Sequence, residues 1–461
     1  MREQDSTALL TDHYELTMLR GALRSGTAHR RAVFEVFARR LPDGRRYGVV
    51  GGTGRLLAAL ADFRFGEDEL AWLAAAGIVD APTLEFLAGW QFRGDIWGYG
   101  EGECFFPGSP LLVVEATFAE AVLLETLVLS IFNHDCAVAA AASRMTCAAG
   151  ARPCIEMGSR RTHEQAAVAA ARAAYVAGFT STSNLEAGRR YGIPTTGTSA
   201  HAFTLLHDSE GESFAAQVAV LGPGTTLLVD TYDVPRGVRT AVEVAGTGLG
   251  AVRLDSGDLL EQAHTVRRQL DGLGAHGTRI IVTSDLDEYA IAALAVAPVD
   301  GYGVGTALVT GSGAPTAGLV YKVVEIEGRA VAKRSEGKPS RGGRKWALRR
   351  RDGDGRAVEE VVRASGAGDF AWAGSGSDPT SVDADGPAYG DPSPDRALLR
   401  PLVRAGVVVG AEPLAAARDR HAMARAELPD HAHQLSRGEP VIPTVYEGVR
   451  QASHPTEGAM R

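Results

Sequence analysis

Cysteine is scarce in this chain: four in 461 residues, at Cys104, Cys136, Cys147 and Cys154, with no CxxC pair. That is too few for a disulfide scaffold and wrongly spaced for a zinc site, so reduced thiols are expected. No long apolar run escapes charge. AVLLETLVLSIF (121 to 132) contains Glu125 and is too short to span a bilayer. The start, MREQDSTALLTDHYELTM, lacks a basic stretch followed by an apolar core and does not read as a secretory signal. Excess positive charge is missing too: the formal net charge of −9 argues against nucleic acid or an anionic membrane as main partner, although a local basic pocket can still take a polyanion. No GxxxxGK[ST] occurs, which excludes a P-loop nucleotidase, and no GxGxxG opens a helix after the first strand. A cytoplasmic protein acting on small molecules is the expectation that remains.

What is present is a rhythm. Four times between Thr226 and Thr306 an apolar, β-branched run stops on a polar residue: TLLVD at Asp230, AVRLD at Asp255, IIVTSD at Asp285, and DGYGVGT at Gly305 and Thr306. The stretches between them, such as 258 to 274, carry helical spacing with a glycine stop. Strand and helix in alternation predict an α/β fold around a parallel sheet, with ligands at the carboxyl ends of the strands. Three carboxylates and a glycine-rich turn are thereby expected around one small molecule. Carboxylates suit hydroxyls and Mg²⁺, and open backbone N–H groups suit phosphate.

Length predicts two or three domains. Residues 1–117 mix short strands with amphipathic helices, and ECFFPGSPLLVVEAT (103 to 117) reads as a hairpin around Pro107 and Gly108. A helix is expected from Phe118 to about Ala142, then an α/β barrel domain over 118–335 that includes a helix at 163 to 179 closed by Gly178. A C-terminal region, 336–461, contains a Gly/Ser/Asp/Pro-rich loop at 364–395 and either stands alone or returns to the first domain.

Several residues carry candidate chemistry. Arg253 lies two positions before Asp255 on a strand, hence on the same side, which fits either a structural ion pair or a ligand group. Asp230, Ser284 and Asp285 add further polar groups at neighbouring strand ends. Gly303, Gly305 and Thr306 fit a phosphate cradle or a plain tight turn. His201, among small residues, is either a core histidine or an imidazole nucleophile oriented by carboxylates. Arg160 and Arg161 could fork onto a carboxylate or phosphate, or form a solvated turn. Tyr14 has Thr11 or Asp12 as helix cap and otherwise reads as a packing residue.

The motifs TDHYELTM, GSRR, TSNLEAGRRYGIPTTGTSAHAF, DTYD, VRLDSGDL, SDLDE and DGYGVGT stand in the order seen in nicotinate phosphoribosyltransferases, and EGKPSRGGRK and LPDHAHQLS resemble later stretches of that family. The resemblance runs from residue 11 to about residue 350. It implies a type II phosphoribosyltransferase: an irregular α/β barrel with an α+β N-terminal domain, working as a homodimer with interfacial active sites. The implied reaction joins nicotinate to phosphoribosyl pyrophosphate, giving nicotinate mononucleotide and pyrophosphate in NAD biosynthesis. ATP is the co-substrate, and Mg²⁺ is held through substrate phosphates. By the same resemblance His201 is the phosphorylated histidine, Tyr14 stacks on the pyridine ring, and Thr198, Arg253, Arg160 and Asn184 face nicotinate. Asp230, Asp255, Ser284, Asp285 and the turn Gly303, Gly305, Thr306 face the phosphoribosyl side.

The chain departs from the family pattern at two places. Met157 stands where an aromatic often precedes the GxRR turn, so a thioether would form the second face of the ring sandwich. RGGRK lacks a usual proline. Two relatives of the same fold compete as readings. Nicotinamide-using ones tend to carry aspartate at the position of Asn184, and quinolinate-using ones lack the His201 segment. A non-catalytic pyridine-nucleotide sensor is the rival of another class.

Overall fold

The computed structural model describes residues 6–333, 340–364 and 395–449. The stretch read as a loop at 364–395 lies outside the described residues except for its two end positions. The chain forms two compact units: one from residues 1–136, 316–432 and 436–461, the other from 137–315 with 433–435. These cut across the three consecutive segments expected, because the C-terminal region shares a unit with the N-terminal one.

The first unit is built on a seven-stranded sheet whose pairings are antiparallel. One of its interior strands, Arg31–Ala38, is buried along almost its whole length, and the C-terminal strand Leu399–Arg404 pairs with Asp95–Tyr99. A buried charge network ties a separate four-stranded sheet of C-terminal strands to the N-terminal part of this unit. Arg349 Nη2 bonds Glu360 at 2.6 Å and the Cys104 carbonyl at 2.8 Å, while Arg396 pairs with Glu103 at 2.9 Å and Glu427 at 2.6 Å. Removing one member would strand a buried charge, so the network fixes the C-terminal strands to residues 103 and 104. The expected hairpin at 103 to 117 does not form: Cys104–Phe105 pairs with Gly48–Val49, and Leu112–Thr117 joins the seven-stranded sheet. The expected helix from Phe118 is two helices, Phe118–Val122 and Glu125–Ala149. The break falls where the buried Glu15 carboxylate accepts the Thr126 N–H at 2.9 Å and its hydroxyl, capping the second helix from outside. That second helix is long and apolar enough to cross a membrane, but two-thirds of its most apolar window (67%) is buried inside the fold. A cavity of about 700 Å³ also lies in this unit, lined by residues of both charges, Arg31 and Arg93 beside Glu85, Asp95, Glu115 and Glu120.

The second unit holds a six-stranded parallel sheet: β1 (Cys154–Glu156), β2 (Ser181–Thr182), β3 (Thr226–Leu228), β4 (Ala251–Leu254), β5 (Arg279–Val282) and β6 (Gly301–Val304), in the order β2-β1-β6-β5-β4-β3. Among the described residues no pairing joins β2 to β3, so the sheet is an open part-barrel. Helices covering it keep the strands buried, as a parallel sheet requires. The expected helices appear as Glu164–Val176, followed by Gly178 at φ +107°, and Leu259–Gly272. After each of β3, β4 and β5 a pair of aspartates divides the work. The second of each pair, Asp233, Asp258 or Asp287, caps the following helix through its side chain. The first is left at the strand end.

Glu35, on the strand Arg31–Ala38 of the first unit, pairs with Lys345 at 2.9 Å, yet its Oε1 is buried without a hydrogen-bond partner. Burial outweighs the lysine and pushes its carboxyl from 4.5 up to about 7. A raised folded-state value favours the fold while the group is protonated, so this contribution is complete below 4.5 and lost as pH rises through about 7. Glu35→Gln should flatten the dependence of unfolding free energy on pH across that window, measured by denaturant titration at several pH values; an unchanged slope would contradict it.

Candidate active site

Asp230 is the junction of the strand ends. Its side chain is 2% exposed. One oxygen meets His201 Nε2 at 3.0 Å; the other accepts the Asp255 N–H at 2.8 Å and the Ser256 hydroxyl at 2.8 Å. A carboxylate only accepts, so the bond assigns the imidazole proton to Nε2 and leaves a lone pair on Nδ1. Nδ1 has no partner among the described residues, and the His201 side chain is 40% exposed. Asp255 in turn accepts the Thr283 hydroxyl, which links the ends of β4 and β5. Beyond β5, Ser284 adopts φ +114°, a strained conformation for a residue with a side chain. Ser284 and Asp285 are exposed there.

Arg253 does not spend its guanidinium on Asp255. Its Nη2 donates to the Ser199 carbonyl at 3.0 Å and its Nη1 reaches Thr198 Oγ1 at 3.4 Å, while Nε is buried without a partner. Burial lowers its pKa; Asp255 and Asp230 oppose that shift, and Arg160 adds to it. A mostly buried cation with an unpaired N–H and a second arginine nearby is suited to an anion. Thr198, Arg160 and Arg161 are exposed beside it.

The turn that carries Arg160 is held by a residue the sequence reading passed over. Glu156, fully buried at the end of β1, accepts the Gly158 N–H and the Thr182 hydroxyl. Asn184 is occupied internally. Its Oδ1 caps the helix Leu185–Tyr191 through the Ala187 N–H at 2.9 Å, and its Nδ2 donates to Ser159 at 2.9 Å. Both its polar side-chain atoms are thus taken, and it helps to position the Ser159 and Arg160 turn. Ser256 and Thr283 were also missed, although Ser256 sits inside the quoted DSGD.

The GVGT stretch is split between two environments. Gly303 is buried within β6, where an added Cβ would come within 2.5 Å of Thr283 and 2.7 Å of the Met157 sulfur. Packing alone requires glycine there. Gly305 and Thr306 follow at the strand end, with Thr306 starting the short helix Thr306–Val309. Met157 thus lies against β6, and its carbonyl is 3.5 Å from the Cβ position of Gly305.

Tyr14 belongs to the first unit, the other candidates to the second. It is 45% exposed on the helix His13–Arg24, and partial burial together with the carboxylates of Glu125, Glu15 and Asp12 pushes its phenol up to about 12. Asp12 is the N-cap residue of that helix but makes no side-chain capping bond, and the Thr11 hydroxyl goes to Glu15 instead.

Residues 9–133 match the nicotinate phosphoribosyltransferase N-terminal domain family. Nicotinate phosphoribosyltransferase pncB1 of Mycobacterium tuberculosis is 58% identical over 449 residues, covering 96% of this chain and 95% of that protein. This chain belongs to the nicotinate phosphoribosyltransferase family. The human nicotinate phosphoribosyltransferase is 30% identical over 93% of this chain and 94% of its own length. The crystal structure of human nicotinic acid phosphoribosyltransferase superposes with a TM-score of 0.79 at 26% identity, covering 95% of this chain and 97% of that one. The α/β architecture is thus that of the family.

For this family member the two halves of the glycine motif can be separated. Gly303→Ala should cost about 1–3 kcal/mol of unfolding free energy through overpacking, and Met157→Ala in the same chain should recover part of that loss. Full stability of Gly303→Ala alone would refute the packing requirement.

Proposed function

We propose that this chain condenses nicotinate with phosphoribosyl pyrophosphate to nicotinate mononucleotide and pyrophosphate in NAD salvage, and that it couples the reaction to ATP through a phosphohistidine at His201. The observation that carries the reading is the Asp230–His201 pair. Asp230 fixes the ring by accepting a hydrogen bond from Nε2–H, so Nδ1 is the nitrogen available to attack the γ-phosphorus of ATP. The N–P bond forms as the bond to the ADP oxygen breaks, and water later cleaves the phosphoimidazole. Phosphorylation would favour the state that binds substrates tightly, and hydrolysis after product formation would reset it.

At the ribose no protein nucleophile is needed. The C1–O bond to pyrophosphate breaks through an oxocarbenium-like state, and the pyridine nitrogen donates its pair to C1. Arg253, with its unpaired Nε and with Arg160 nearby, is the candidate for the nicotinate carboxylate. Ser284, Asp285, Gly305 and Thr306 stand at strand ends where ribose hydroxyls and phosphates would be met. Among the described residues no group of three His, Cys, Asp or Glu side chains could hold a metal ion. Mg²⁺ is therefore proposed to be held chiefly by the substrate diphosphate, whose developing charge it would neutralise; Asp255 and Asp285 offer the oxygen ligands it prefers. A homodimer is proposed as well. Leu205, Leu206, Val220 and Leu221, between 51% and 81% exposed on the helices that follow His201, supply apolar surface for a second copy.

The test is product formation from phosphoribosyl pyrophosphate and Mg²⁺ with nicotinate or nicotinamide, each with and without ATP. Nicotinate should be used and ATP should raise the yield. Product from nicotinamide would reassign the substrate, and product from neither would leave a sensor. Two variants sharpen it. His201→Ala should abolish nicotinate-dependent ATP hydrolysis while leaving weak ATP-independent transfer. Arg253→Met should weaken nicotinate binding about tenfold to a hundredfold, the range of a lost charge-assisted hydrogen bond, read as KM; an unchanged KM would remove Arg253 from the carboxylate site.

A further inference from the structure

Helix Glu210–Leu221 carries one polar side chain whose bonding has no role in the helix itself. Gln217 is 6% exposed. Its Nε2 donates to the Thr226 carbonyl at 2.8 Å and to Thr225 Oγ1 at 3.0 Å, and its Oε1 accepts the Ser199 hydroxyl at 2.7 Å. The amide orientation follows from the partners, since a backbone carbonyl can only accept. One side chain thereby joins the start of β3, the strand that leads to Asp230, to the segment 198–201. That segment holds both halves of the proposed chemistry. The Ser199 carbonyl and the Thr198 hydroxyl receive the two Nη groups of Arg253, and His201 follows two residues later.

We propose that Gln217 is a positioning residue. Through the Ser199 hydroxyl it holds the Thr198–His201 segment where Arg253 Nη2 and Nη1 are engaged and Nε stays unpaired, the fork set for the substrate carboxylate. The inference rests on the proposed function and names a specificity determinant within it. Without the Gln217–Ser199 bond the segment keeps its covalent ends but loses its register, so the Arg253 fork rotates among its partners and the cost falls on binding the carboxylate. The bond breaking at C1 uses other groups and is spared. Phosphoribosyl pyrophosphate meets other strand ends and is spared as well.

The experiment compares the unaltered enzyme with Gln217→Met, Ser199→Ala, Ser199→Thr and the double variant Gln217→Met/Ser199→Ala, by steady-state kinetics without ATP and by thermal unfolding. Gln217→Met and Ser199→Ala should each raise the nicotinate KM about tenfold, with kcat within about twofold and the phosphoribosyl pyrophosphate KM unchanged. Ser199→Thr, which retains the hydroxyl, should stay near the unaltered value. The double variant should be no worse than either single one, because both remove the same bond. Additive losses, a fall in kcat at unchanged KM, or an equal rise in both KM values would overturn the proposal. Should Gln217→Met fail to fold, Ser199→Ala on the half-buried segment decides alone. An unaltered enzyme that makes no product would instead sink the function reading, so the two failures are distinguishable.

Discussion

The buried carboxylate of Asp230 is the constraint on which the site depends. Three donors from two separate segments converge on it: His201 Nε2, the Asp255 N–H and the Ser256 hydroxyl. A charge this buried is tolerated only when its lone pairs are taken up. Satisfying Asp230 therefore sets the imidazole orientation, the path of the chain after β4 and, through Thr283, the spacing to β5. The nitrogen that remains on His201 is chosen by this satisfaction and by nothing in the histidine itself.

The same economy runs through the parallel sheet. Each aspartate pair after β3, β4 and β5 gives one carboxylate to a helix N-terminus, where backbone N–H groups need acceptors, and keeps the other at the strand end. Capping places these helices directly after their strands, which holds the loops short and the strand ends close. Arg253 shows the complementary case. A cation on a strand, mostly buried, spends two of its nitrogens on the 198–199 backbone and side chain and presents the third unpaired.

Much of this was legible in the sequence, for a physical reason. Strand ends in a parallel sheet are marked by an apolar run meeting a polar residue, so β3 to β6 and the residues after them could be read directly. Hydrogen bonds between distant side chains leave no such mark. Gln217 sits mid-helix with no local signal, Glu156 looks like any acidic residue after a strand, and Asn184 reads as a ligand group although the helix and Ser159 use both its polar atoms. Gly303 shows another limit, because a glycine needed for packing against Thr283 and Met157 looks the same in sequence as one that cradles phosphate. In the first unit, the hairpin was expected from a local turn signal, and longer-range pairing overrode it. The attachment of the C-terminal strands that carry Arg349 and Arg396, which form a separate four-stranded sheet, rests on pairs with Glu103, far away in sequence.

The central claim, that Asp230 leaves Nδ1 of His201 as the phosphoryl acceptor, is tested most directly by phosphorus NMR of the enzyme incubated with ATP and Mg²⁺, with the modified residue mapped by mass spectrometry. The account predicts one phosphoryl group per chain, on Nδ1 of His201 and absent from Asp230→Asn. A phosphoryl group on Nε2, on another residue, or on none would contradict it.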